Sequence, residues 1–219
     1  MSLKKQVVCA LAVSLWALVP EPVRAAVVPK AFTALEEATE NISESAAAPA
    51  RLKAALAALK VEQPKALAEL VRVGAPSAIR EGLSHALNDL HRAAEKGDTN
   101  ATARVATDVL LAVADGIDAF KPARPGDVLR LDSLAMCIPL DLAARQGTDA
   151  ANHARKLAEV WERLRPRVPE TARVARDAFS AEVGRLLEAL AAGRDEAAVA
   201  SARAIEELVD KLEEAFPAW

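Results

Sequence analysis

Tyrosine is absent from this chain of 219 residues, and only four phenylalanines, three tryptophans, eight glycines and two cysteines are present. Each shortage removes a class of protein. So few aromatic rings offer no platform on which successive bases could stack. The formal net charge is −3 and no block of lysine or arginine interrupts the sequence, so attraction to a phosphate backbone is excluded as well. Eight scattered glycines cannot build a phosphate-cradling loop. The compact catalytic signatures are missing too: there is no GxSxG, no P-loop, no His-Glu-x-x-His and no CxxCH.

Long apolar runs are confined to the N-terminus. Lys4 and Lys5 precede an apolar stretch between Gln6 and Pro20, and Val23-Arg24-Ala25 offers small or apolar residues at the −3 and −1 positions of a cut before Ala26. The stretch is roughly 14 residues, short of the roughly 20 that a bilayer span needs. Residues 1–25 therefore read as a secretory signal peptide; the alternative is an uncleaved N-terminal anchor. Cys9 lies inside the apolar stretch rather than after it, which rules out a lipoprotein cysteine. Cleavage would remove Lys4, Lys5, Arg24 and Glu21, taking the net charge from −3 to −5 and leaving 194 of the 219 residues. It would also leave Cys137 alone, so no internal disulfide forms and stability rests on helix packing. An Ala-, Leu-, Val-, Arg- and Glu-rich composition with this leader points to a periplasmic protein, with no stable membrane span after cleavage.

What is present is a repeat. Residues 97–120, 145–168 and 193–216 carry one helical pattern at a 48-residue offset. Ala106, Ala154 and Ala202 share a column, as do Val109, Leu157 and Ile205; Val113, Trp161 and Val209; and Gly116, Leu164 and Leu212. The preceding helices obey the same offset, with Leu83, Leu131 and Phe179 in one column and Leu90, Ile138 and Leu186 in another. Apolar positions three and four apart place one buried face on each helix. The spacing predicts an all-α antiparallel helical bundle of three tandem αα-hairpins of about 48 residues over 76–219. The N-terminal segment, 26–75, fits the repeat poorly and reads as three shorter helices over 30–46, 50–61 and 64–73, with Pro49, Pro64 and Pro76 marking boundaries.

The repeat also acts as a filter, because whatever recurs in all three copies is explained by packing. The middle copy departs most. Its first helix, Asp127 to Arg145, has one apolar stripe of Leu131, Ala135, Ile138 and Leu142 and a second of Leu129, Met136 and Leu140, so it should be sandwiched between neighbours. Arg130, Asp132, Cys137 and Asp141 lie on the flanks, and Pro139 interrupts the backbone ladder. Arg130, Asp132 and Asp141 are candidates for a buried ion-pair network or a ligand site, with Trp161 as a pocket wall. Trp161 stands where the sister copies have valine, and Ala135 on the partner helix is the small residue that makes room. Met136, Cys137 and His153, from this helix and the next, have the ligand types of a copper-like soft-metal site, although buried cysteine and methionine are ordinary core residues. His85 and Asp89 are i, i+4 neighbours on a face that reads as solvated, and His91 borders an apolar stripe.

Three functions stay open on these residues. The first is a non-enzymatic periplasmic binding or accessory module that takes another periplasmic protein or a small ligand, with the proline-interrupted central helix forming the groove. The second is a soft-metal binding protein using Met136, Cys137 and His153. The third is an enzyme in which Asp132 and Asp141 do acid–base work, although no nucleophile–base pair is evident.

Overall fold

A computed structural model describes residues 27–217. The signal peptide read at 1–25 and the terminal Trp219 lie outside the described residues. The protein is an all-α helical bundle, with eight α-helices and no strand among the described residues. In chain order they are α1 (Lys30–Ser45), α2 (Pro49–Arg72), α3 (Ser77–Glu95), α4 (Thr99–Asp118), α5 (Asp127–Ala143), α6 (Gly147–Leu164), α7 (Arg173–Ala191) and α8 (Asp195–Ala215). None of them is long and apolar enough to cross a membrane.

The columns of the repeat lie where burial should put them. Ala106, Ala154, Ala202, Val109, Leu157 and Ile205 are fully buried, and so are Leu83, Leu131, Phe179, Leu90, Ile138 and Leu186. Helices adjacent in sequence pack closely as α1 with α2, α3 with α4, α5 with α6 and α7 with α8, while α1 packs on α4, α4 on α5 and α5 on α8. The apolar interior falls into two clusters. One is built by α1 to α4 with Phe32, Leu59, Leu87 and Val113; the other by α5 to α8 with Leu131, Leu157, Trp161 and Phe179. α5 joins them, sending Leu129 and Met136 into the first cluster and Leu131, Leu134 and Ile138 into the second. Its two stripes therefore face two different cores.

The N-terminal segment differs from the three short helices that its prolines suggested. It forms two, because α2 runs unbroken through Pro64. Proline in a helix removes one hydrogen bond and frees the carbonyl four residues earlier. Pro64 and Lys60 are both exposed, so that carbonyl lies on the solvent side of the helix. α1 and α2 share the core of α3 and α4 rather than forming a separate arm.

Turn chemistry follows the repeat with one substitution. Gly97 and Gly193 take φ of 71° and 65° after α3 and α7, the left-handed conformation that closes a helix. The matching position after α5 is Arg145, at φ 58°. The amide of Gln146 donates to the carbonyl of Asp141 at 2.8 Å, as the amide of Arg194 donates to Ala189 at 2.9 Å. The same cap is thus made without glycine, at a cost of about 1 kcal/mol. Asp98 caps α4 by accepting from the Ala101 amide at 2.9 Å.

Gly116 explains the one gap in the core columns, where its sisters are Leu164 and Leu212. A Cβ on Gly116 would lie 2.5 Å from Cε1 of Phe32, so the ring from α1 occupies the space that leucine fills in the other copies. Gly116→Ala is therefore expected to destabilise the fold by about 1–3 kcal/mol despite the better helix propensity of alanine. Gly184→Ala in α7, where nothing lies within 4 Å of the new Cβ, is expected to stabilise it by about 0.5–1 kcal/mol. Chemical denaturation of the two variants checks the pair.

Candidate functional site

α5 carries Arg130, Asp132, Met136, Cys137 and Asp141, and α6 carries His153 and Trp161. Successive α-helical residues turn by about 100°, which places Asp132 far round the axis from both Arg130 and Asp141. Arg130 and Asp141 share a side but stand about 16 Å apart along it. The single Arg130–Asp132–Asp141 network expected from sequence therefore does not form, and the three residues enter three different surroundings.

Arg130 is consumed by structure. Its Nη1 donates to Asp118 Oδ2 and to Asp127 Oδ1, each at 2.7 Å, and its Nη2 donates to Asp115 Oδ1 at 2.5 Å. Arg163 of α6 grips the same Asp127 with two hydrogen bonds, at 2.9 and 2.7 Å. Burial alone would raise the Asp127 carboxyl, but the hydrogen bonds from Arg163 and the charge of Arg130 hold it below the usual range. The cluster ties the α4–α5 connection to α6. Three carboxylates take three of its five N–H donors and more than balance its charge, so Arg130 offers no free positive charge to a ligand.

Asp141 is fully buried and accepts from His153 Nδ1 at 2.6 Å. Arg104 of α4 brings Nε to 3.0 Å from the other carboxylate oxygen, as an ion pair whose angle does not make a hydrogen bond. This answers the requirement that a polar ring on a buried helix face must find a partner. Cys137 lies against Thr107, with Sγ 3.0 Å from Oγ1. Thr107 spends its own proton on the Arg104 carbonyl at 2.6 Å, so the thiol is the donor. Burial pushes the thiol up to about 12, against a smaller lowering by the Thr107 hydrogen bond, and keeps it protonated. Met136 packs into the first core. Among the described residues, no group of three or more His, Cys, Asp or Glu side chains is arranged to hold a metal ion. His85, Asp89 and His91 line an open surface of α3, where His91 Nε2 lies 3.1 Å from Gln63 Oε1 of α2.

Trp161 is core. Its ring lies 4.2 Å from that of Phe179, tilted by 31°, and its Nε1 donates to Ser180 Oγ at 3.0 Å. Ala135 is buried in the same cluster.

Asp132 is the exception. It makes no hydrogen bond or ion pair among the described residues. α1 and α8 flank the α4–α5 joint, and their carboxylates converge on it: Glu36 and Glu40 from α1, and Glu206, Asp210 and Glu213 from α8. Arg124 answers one of them, with Nη1 3.0 Å from Glu213 Oε2. Burial, then repulsion from Glu40 and Glu206, pushes Asp132 up to about 8. Burial, then Glu40 and Glu213, takes Glu36 to about 9, and burial with Glu213 and Glu44 takes Glu40 to about 7. Glu206 and Glu213 are raised as well, first by burial. The joint is an acidic seam, and ionising it opposes folding.

The seam carries a sequence signal that belongs to no motif. Glu36, Glu40 and Glu44 are spaced by four, and Glu206, Asp210 and Glu213 by four and three. Like charges at those spacings share a helix face and repel. Neither run has an obvious structural purpose within its own helix.

The architecture defines the protein as an all-α bundle carrying a carboxylate seam. No protein-family model, no curated protein and no solved structure matches the chain.

A raised carboxyl binds a proton in the folded chain that the unfolded chain has released. Its contribution to stability is complete below the ordinary values of 4.5 for glutamate and 3.8 for aspartate, and is lost as pH rises through the folded values of about 7 to 9. Tm is thus expected to fall between about pH 5 and pH 9. Glu36→Gln should raise Tm at about pH 8 by a few degrees, since 1 kcal/mol shifts Tm by ~2–4 °C for a chain of this size. It should also flatten the fall. Calorimetry across that range measures both.

Proposed function

We propose that this is an exported, non-catalytic binding module and that the seam between α1, α5 and α8 receives a cationic partner. The observation that carries this reading is Asp132. Of the candidate polar residues on the central helix, it alone is left unsatisfied, and it is left so among five further carboxylates. Buried polar groups normally find partners, so a half-buried carboxylate without one marks a place where a partner is missing. Lysine or arginine side chains brought to the seam would relieve the repulsion that folding alone leaves in place. Export rests on the N-terminal pattern of Lys4, Lys5, the apolar stretch and Ala25.

Acid–base catalysis fits the seam less well. A working pair needs environments that drive two pKa values apart, so that one group stays protonated while the other is ionised. Here Glu36, Glu40, Asp132, Glu206 and Glu213 all move upward.

Calorimetric titration with oligolysine tests the proposal. The wild-type protein is expected to bind it in a salt-sensitive manner, and Asp132→Asn or Glu40→Gln to weaken binding by about tenfold while raising Tm. Binding that is absent, or unchanged in both variants, overturns the cationic-partner reading. N-terminal sequencing of protein recovered from the periplasm should begin at Ala26; a chain that keeps Met1 and stays in the cytoplasm overturns export.

A further inference from the structure

The opposite electrostatic face of the molecule is α2. Over 24 residues, a length of about 36 Å, this helix buries Ala55, Leu59, Ala66 and Leu70 on one side. On the other side Ala54, Ala57, Val61, Pro64, Ala68 and Val71 are all exposed. Their spacings are 3, 4, 3, 4 and 3, the seam pattern of a helix that packs on another helix. Val61 and Val71 are 55% and 60% exposed, which is uncommon for large apolar side chains in so well buried a bundle. Basic residues flank the stripe. Lys65 and Arg72 are paired within the helix to Glu62 and Glu69, whereas Arg51, Lys53 and Lys60 make no ion pair among the described residues.

We infer that the outer face of α2 docks on the acidic seam of a second copy of this chain. The inference rests on the reading of the seam as a site for cations and names the partner. Charge complementarity decides between occupants. Two α2 faces brought together would set Arg51, Lys53 and Lys60 against like charges. A lipid surface calls for tryptophan, phenylalanine or leucine on the apolar face, and the stripe has none. Alanine instead allows a helix backbone to approach closely, and the seam supplies the counter-charge, gathering Glu40, Glu206, Asp210 and Glu213 around Asp132 with Arg124 as the neighbouring cation. Because α2 and the seam are different surfaces, the contact is heterologous: each copy offers one α2 and one seam, and copies add head to tail.

Sedimentation equilibrium of the purified protein tests this. At low salt the mass is expected to rise with concentration, and at about 1 M salt, where charges are screened beyond ~3 Å, to return to the monomer. Val61→Glu with Lys60→Glu on α2, and Asp210→Lys on α8, should each weaken association by about tenfold or more and leave the circular dichroism unchanged. Ala57→Glu is a second α2 variant should the first misfold. The decisive sample is a mixture of the α2 and α8 variants. Each keeps one intact face, so they should pair as a dimer and go no further. A wild type that remains monomeric, variants that associate like wild type, or a mixture that does not pair overturns the inference. If the monomeric wild type still binds oligolysine, the cationic-site reading stands and self-docking alone falls; if it binds neither, both fall.

Discussion

The structure depends on one helix being apolar on two sides. α5 supplies Leu129 and Met136 to the core of α1–α4 and Leu131, Leu134 and Ile138 to the core of α5–α8. At about 25 cal/mol per Å² of apolar surface removed from water, such burial dominates what any single polar contact contributes. It leaves only narrow flanks for charge, and those flanks sit in or beside the joint. Each polar residue of α5 must then be answered by a side chain reaching over from another helix, or remain costly.

Most are answered. Asp127 and Arg130 are closed into a cluster with Asp115, Asp118 and Arg163 at one end of the joint, and Asp141 is held between Arg104 and His153 at the other. Both clusters bridge α4 to α5 and α6, so they fix how the two cores meet. Removing one partner from such a pair costs far more than the pair contributes, which is why these residues read as framework rather than as site. Between the clusters lies Asp132, turned toward α1 and α8, where the neighbouring side chains are mostly acidic. The same joint is thus stitched at both ends of one side and repulsive on the other. A surface that resists its own ionisation at neutral pH is poised for a cation, and the basic, apolar-striped α2 is the matching surface on the same molecule.

Much of this was legible in the sequence. The 48-residue columns marked the buried faces, and two stripes on 127–145 marked a sandwiched helix, because helical periodicity and burial are read from the same three-and-four spacing. Trp161 and Ala135 were legible as positions of core columns, and both are buried in one cluster. The glycine in the Gly116, Leu164 and Leu212 column was not, since Phe32, which fills the space at Gly116, comes from a helix outside the repeat. Pro64 misled because the one hydrogen bond it removes lies on the solvent side of α2, while Ala55, Leu59, Ala66 and Leu70 bury the opposite face on both sides of it. Arg145 ends the helix at the position where the sister copies have Gly97 and Gly193, and its backbone takes the glycine conformation without glycine.

The sequence by itself determined which residues are buried and that the protein is helical, since both follow from local spacing along one chain. It also contained the like-charge runs on α1 and α8. Only the tertiary structure decided that those runs face each other across Asp132, that Arg130 and Asp141 belong to separate clusters, and that burial keeps Cys137 a protonated thiol beside Thr107. The reason is physical. A hydrophobic face needs only some other hydrophobic face, so it is visible from its own helix, whereas a charge is satisfied or stranded by particular atoms on helices up to 177 residues away, as between Glu36 and Glu213.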